Sequence, residues 1–283
     1  MASAACRRLL PGIGSVLILI AAVTAGAAQT ARQLSNVDLC NGRDRTSPEP
    51  QIVGCTALLQ SDIQNKKVLS IVYNNRGNAY SKQGKYELAI QDYDDSLKLN
   101  PEYAKPLNNR GEAYQKKGDY ERAMADFDAA IKIDPDYADA FVNRAEALQK
   151  KGDYAGALKD FDEAFRLNLP SALLLNERCW ARSVVGELQG ALADCDEAIR
   201  LDPALAAAFD SRGFANLKLG QWASAIADYN VAIRLDRKLA SSLYGRGYAK
   251  LKKGDQAGGN ADIAAAKTAE KDIVEKFAQY GLQ

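Results

Sequence analysis

Residues 104–137 read AKPLNNRGEAYQKKGDYERAMADFDAAIKIDPDY, and this stretch decides the fold. Leu107, Gly111 and Tyr114 share one face of a first helix, and Ala123, Phe127 and Ala130 share one face of a second. Lys116-Lys117-Gly118 closes the first helix, with cations against the negative end of its dipole and glycine as the cap. Asp119 is placed to cap the second helix at its start. Asp134-Pro135 then restarts the pattern, as a cap residue followed by proline at the first helical position. A single hairpin of this kind cannot bury its apolar stripe; stacked neighbours can.

The stretch recurs at a step of 34 residues. Arg76, Arg110, Arg144, Arg178, Arg212 and Arg246 keep that step, and so do Gly84, Gly118, Gly152, Gly186, Gly220 and Gly254. Ala79 and its equivalents follow, as do Asp92, Asp126, Asp160, Asp194, Asp228 and Asp262. The units tile residues 70–103, 104–137, 138–171, 172–205, 206–239 and 240–273 without insertion or deletion. The sixth is degenerate: it carries Gly259 and lacks the terminal proline.

Asn109-Arg110-Gly111-Glu112-Ala113-Tyr114, then Gly118-Asp119-Tyr120, Ala123, Phe127, Ala130 and Pro135, resembles the tetratricopeptide repeat family. The likeness covers residues 70–273 of 283. It implies an all-α fold, a right-handed superhelical solenoid of about six helix-turn-helix repeats, with exposed first-helix faces lining a concave groove. It also implies an interaction scaffold rather than an enzyme. More narrowly, the leader, the Cys40/Cys55 pair and the ending Phe277-Ala278-Gln279-Tyr280-Gly281 resemble exported periplasmic members from alphaproteobacteria.

Both ends read as caps. Residues 29–69 form an N-terminal cap and half-repeat. Ser47-Pro48 starts a helix over 49–61 equivalent to a second helix, and Asn36–Thr46 is expected as a loop replacing the missing first helix. Residues 269–283 form a C-terminal cap, in which a helix over Ala269–Gln279 places Ile273, Val274 and Phe277 against the last hairpin.

The first 28 residues read as an export signal. Arg7 and Arg8 precede an apolar run from Ile13 to Val23, and Ala25-Gly26-Ala27-Ala28 supplies cleavage after Ala27 or Ala28. The run is short for a bilayer span of about 20 residues, so no stable membrane anchor is expected after cleavage; an uncleaved anchor is the alternative. The mature chain is then exported, periplasmic or secreted. Lys plus Arg is 37 and Asp plus Glu 36, a balance that speaks against nucleic-acid binding through a basic surface. There is no histidine, which excludes Ser-His-Asp and Cys-His catalysis and His-liganded zinc. No catalytic residue, metal or cofactor is expected.

Four cysteines remain after the leader, and an even count in an oxidising compartment suggests two disulfides from three possible pairings. Cys179 lies seven residues before Gly186 and Cys195 nine after it, so the two face each other across one hairpin. Cys40–Cys55 would pin the N-terminal cap. Crossed pairings would have to span three intact repeats. Four free thiols are the alternative, if the chain is not exported.

The binding candidates lie on first helices. Each ladder arginine precedes its hairpin glycine by eight residues and each ladder aspartate follows by eight, which places them as structural ion pairs rather than catalytic ones. Lys82, Lys116, Lys150, Lys218 and Lys252 line first-helix ends, where the dipole accounts for them without an anionic partner. Asn74, Asn75, Asn78, Asn108, Asn109 and Asn143 offer donor and acceptor pairs suited to an extended peptide backbone; solvated helix polarity is the plainer account. Trp180, Phe214 and Tyr248, with Tyr244 nearby, form an aromatic row of the kind that anchors partners; packing between first helices is the alternative. The family's carboxylate clamp is not expected: Asn78 and Asn109 match it, but Asn74, Asp139 and Asn143 stand where it needs lysines and an arginine.

These readings point to a non-catalytic scaffold for a peptide or disordered segment in a bacterial cell envelope. The alternative is an exported carrier of a small or lipidic ligand at the aromatic end. Partner identity and oligomeric state stay open.

Overall fold

All six hairpin glycines take the left-handed backbone that the repeat demands of them, with φ of 71° at Gly84, 81° at Gly118, 84° at Gly152, 94° at Gly186, 72° at Gly220 and 90° at Gly254. Among the described residues no side-chain-bearing residue has positive φ. The reversal therefore falls on the one residue type that adopts it without strain. This computed structural model describes residues 35–42, 47–167 and 171–282. The expected leader lies outside them. Among the described residues all regular structure is α-helical, and no helix is long and apolar enough to cross a membrane.

A short helix α1 (residues 35–40) and α2 (Pro48–Leu59) precede the repeats. The hairpins follow: α3 (Lys66–Lys82) with α4 (Tyr86–Leu99), α5 (Ala104–Lys116) with α6 (Tyr120–Ile133), and α7 (Ala138–Lys150) with α8 (Tyr154–Leu167). Then come α9 (Ala172–Val185) with α10 (Leu188–Leu201), α11 (Ala206–Lys218) with α12 (Trp222–Leu235), and α13 (Ala240–Lys252) with α14 (Gln256–Ala269). A last helix, α15 (Ile273–Gln279), ends the fold. The chain divides into two compact units, one ending at Ala113 and the other beginning at Tyr114.

In the first unit, Ser47 caps α2 by accepting from the Glu49 amide, with Pro48 in the first turn as expected. Part of the expected loop over Asn36–Thr46 is instead helical, because α1 occupies residues 35–40; residues 43–46 lie outside the described ones. α1 is fastened to α2 by the Cys40–Cys55 disulfide, with Cα atoms 4.6 Å apart, and by Gln51 donating to the Cys40 carbonyl at 3.1 Å. Tyr93 anchors the unit's core beside Ala89 and Ala113.

In the second unit the fourth hairpin carries Cys179–Cys195, Cα atoms 5.5 Å apart, inside the range a relaxed bridge requires. It stands where other repeats pack a small residue against a ring: Ala145 and Phe161 share one core cluster, and Gly213 faces the Tyr229 ring, which also abuts Gly245 of the next hairpin. A Cβ on Gly245 would lie 2.3 Å from the Tyr229 ring, so the close helix approach depends on its absence.

Two helix starts differ from expectation. Asp119 does cap α6, accepting from the Arg122 amide at 3.1 Å. Asp134, by contrast, ends α6 rather than starting α7, which begins at Ala138. Its carboxylate accepts from the Asp136 amide at 3.2 Å, forming a turn in which Pro135 stops the helix before it. At the C-terminus the helix expected from Ala269 is broken: α14 ends there, and the chain turns over residues 270–272 before α15.

Candidate binding face of the first helices

The ladder is made of double contacts. In the second unit Arg144 holds Asp160 at 2.8 and 2.7 Å, Arg178 holds Asp194 at 2.9 and 2.6 Å, and Arg246 holds Asp262 at 2.7 and 2.7 Å. Arg212 grips Asp228 in the same way. In the first unit Arg76 holds Asp92 at 2.8 and 2.8 Å. Arg110 and Asp126 fall in different units; Arg110 pairs with Asp94, and Asp126 is buried.

In the second unit each ladder arginine also reaches back one hairpin, a feature not read from the sequence. Arg144 takes Asp128, Arg178 takes Asp162, Arg212 takes Asp196, and Arg246 takes the Asn230 carbonyl oxygen at 2.9 Å. These acceptors sit two residues after a ladder aspartate, a spacing visible in the repeat. Each guanidinium thus bridges two hairpins with its fork of donors. Burial disfavours the charge on Asp262, yet Arg246 and Lys250 together hold its carboxyl below the ordinary value.

The asparagines of the first unit satisfy one another. Asn109 donates to both Asn74 and Asn78 at 2.9 Å, Asn78 also accepts from the Tyr93 hydroxyl at 2.8 Å, and Asn75 donates to Asn41 at 3.3 Å. Asn74 and Asn108 are buried. The row braces α3 against α5, and only part of its amide capacity faces outward. Asn143 lies in the second unit, on α7.

The aromatic row of the second unit is covered by the chain's own end. Phe277 of α15 packs on Tyr244 at 4.6 Å and on Phe214 at 5.8 Å between centroids, and Tyr280 meets Trp180 at 5.1 Å and Tyr154 at 5.9 Å. Phe214 is 1% exposed and Tyr244 8%, so these two are core residues and not free anchors. Trp180 and Tyr248 are half-buried. The C-terminal segment reaches past the last hairpin, because its apolar residues find the first-helix aromatics of α9, α11 and α13. Of the terminal lysines, Lys218 donates to the Val184 carbonyl at 3.0 Å, in the last turn of α9, and Lys252 stacks 5.0 Å from the Tyr248 ring. The first contact is what a helix dipole favours.

Between α15 and the first helices a cleft of about 1110 Å³ stays open, with Glu177, Asp210, Trp180, Ser241, Lys150 and Tyr280 in its walls. Loss of solvent pushes the Asp210 carboxyl up to about 6, against hydrogen bonds from Ser242 and Ser241. Glu177 is likewise raised by burial and by Glu146, opposed by the Asn176 amide and Lys150. Both carboxylates were passed over in the sequence, since neither repeats at the 34-residue step.

Comparison with known families now bears on this face. The family described as Tetratricopeptide repeat matches residues 70–103 and 104–137, a second of that description matches 127–159, and TPR repeat matches 217–254. Tetratricopeptide repeats are thus recognised over residues 70–159 and 217–254. Solved TPR structures share the fold. One from Parabacteroides merdae is 18% identical at a TM-score of 0.62, covering 89% of this chain and all (100%) of that one. PilW, a type IV pilus biogenesis factor, is 18% identical at 0.64, covering 74% and 98%. YrrB, a TPR protein with an unusual peptide-binding site, is 19% identical at 0.52, covering 67% and 98%. A comparison with curated proteins gave no match. TPR arrays are characteristically non-catalytic interaction scaffolds.

Proposed function

We propose that this TPR protein is an exported, non-catalytic scaffold that holds a peptide or disordered segment of a partner protein along its first-helix face, in the bacterial cell envelope. The observation that carries the reading is the cleft beneath α15, where polar and aromatic first-helix residues remain accessible although the rest of the aromatic row is filled. A mixed wall of this kind suits a peptide, whose backbone needs donors and acceptors and whose side chains need apolar seats. Peptide binding by the similarly folded YrrB supports the same use.

The carrier reading has less support. The aromatics it needs are occupied by Phe277 and Tyr280, and the cleft carries Lys150, Lys276, Glu177, Asp210 and Glu270, walls poorly suited to an acyl chain. The test is affinity capture from envelope extract with mature protein as bait. A partner that binds wild type but not a variant altered in the cleft supports the scaffold. Native mass spectrometry showing a retained small molecule, with no protein captured, would replace it with the carrier.

A further inference from the structure

Glu177 on α9 and Asp210 on α11 flank the point where these neighbouring first helices are joined: Ser211 donates to Asn176 at 2.9 Å. Both line the cleft, and among the described residues neither forms an ion pair. Asp210 accepts from the hydroxyls of Ser242 and Ser241, and Glu177 accepts from the Asn176 amide at 3.2 Å. Two of the nearby cations are engaged elsewhere, and Lys150 eases the charge on Glu177 without bonding it. Lys276 is paired with Glu270 and Asp272, Lys151 with Glu121, and Lys150 is exposed and bonds neither carboxylate. A carboxylate stripped of water without a counter-charge is costly, and an incoming cation relieves that cost.

Two further features favour a ligand of that charge. Trp180 and Tyr280 stand in the same walls, and aromatic faces attract ammonium and guanidinium groups. The Gln149 side chain also lines the cleft, and its buried amide nitrogen has no hydrogen-bond partner, so an acceptor such as a peptide carbonyl is wanted beside the carboxylates.

We infer that the cleft is a cation subsite: the bound segment presents a lysine or arginine whose charged head sits between Glu177 and Asp210 and whose stem lies on Trp180 and Tyr280. This rests on the reading of the first-helix face as a peptide site. The subsite gives the array a preference for basic segments despite its near-zero net charge, because the selecting charge is local.

The experiment uses mature protein and pools of fluorescein-labelled peptides of about ten residues, randomised except for a fixed central Lys, Arg, Gln or Glu, read by anisotropy. Lys- and Arg-centred pools are expected to bind about ten-fold tighter than the Gln-centred pool, a difference of about 1.4 kcal/mol. Glu177→Gln with Asp210→Asn should erase that preference, so that the Lys-, Arg- and Gln-centred pools bind alike, with the helical circular dichroism unchanged. Glu177→Gln alone, at a residue outside the core, should reduce the preference if the double variant misfolds. Equal binding of all four pools would overturn the cation subsite and leave the peptide face standing. Binding of none would overturn both. A preference that survives in the variants would also overturn it.

Discussion

Trp180 and Tyr280 meet edge to face, ring centroids 5.1 Å apart and planes at 89°, so the C-terminal segment is seated on the first helices of the second unit. Its central residue is Phe277, 2% exposed among Phe214, Tyr244 and Tyr280. Phe277→Ala is expected to cost about 3–5 kcal/mol, as for other buried phenylalanines, read from urea unfolding of the mature chain. An unchanged midpoint would mean that the segment contributes no packing and is only loosely held.

Trp180 then has two duties. Its contacts with Phe214 at 4.8 Å and with Tyr280 make Trp180→Ala destabilising as well as harmful to peptide capture. The expected loss is about 1–3 kcal/mol, below a full core deletion because the ring is half-buried. A variant with full stability and lost capture would restore the pure anchor role that the sequence suggests.

The repeat was legible because its information is periodic: hairpin glycines, ladder arginines and small residues each recur at one step, and the backbone obeys them in both units. The disulfide across the fourth hairpin was legible for the same reason, since Cys179 and Cys195 occupy two facing register positions. What escaped was aperiodic. Where Ile273, Phe277 and Tyr280 would dock depends on which of several apolar surfaces lies within reach of the turn at 270–272, and one-dimensional pattern cannot rank those surfaces. Asp210 and Glu177 escaped because single acids on a helix face look solvated until the segment above them is placed. The asparagine row was visible, but its mutual bonding through Asn109 was not, since that depends on the spacing of α3 and α5.

The ladder separates buried from exposed partners of the same arginine. Asp194 accepts from Arg178 and from Arg182 at 2.9 Å, with side chains of Arg178 and Asp194 only 8% and 6% exposed. Asp194→Ala strands buried cations and should cost about 3–5 kcal/mol. Asp162, also paired to Arg178 but 47% exposed, should cost at most about 1 kcal/mol when replaced by alanine. Arg178→Met with Asp194→Leu should be milder than Asp194→Ala alone. Denaturation curves of the variants decide this; equal losses at Asp162 and Asp194 would show that burial does not set the ladder's strength.

The two bridges make separate predictions about redox. Each closes a loop of about 15 residues, worth ~3 kcal/mol in the chain-entropy account, so reduction should lower the unfolding midpoint in two additive steps. Peptide mapping of non-reduced mature protein is expected to recover Cys40 linked to Cys55 and Cys179 linked to Cys195, as the structure pairs them. A peptide joining Cys55 to Cys179 would contradict the pairing, and four alkylatable thiols would contradict both the pairing and the proposed export.

Asp210 gives the fold a pH response of defined sign. Its carboxyl rises from an ordinary 3.8 to about 6 because burial disfavours the charge more than the hydroxyls of Ser242 and Ser241 support it. The unfolded chain titrates near the ordinary value, so between about pH 4 and about pH 6 the folded state binds the extra proton. The stabilisation from that proton is complete below about pH 4 and is lost as pH rises through about 6. Asp210→Asn removes the charge at every pH and retains an oxygen that accepts from a serine. The variant should therefore exceed wild type in stability at pH 7, and the gap should close toward pH 4. Urea midpoints of the pair at pH 4, 5, 6 and 7 measure it, and taking the difference between the two proteins cancels every other titrating group. A gap that stays constant over this range would show that Asp210 titrates as an ordinary solvated carboxylate, with the cleft open to water around it.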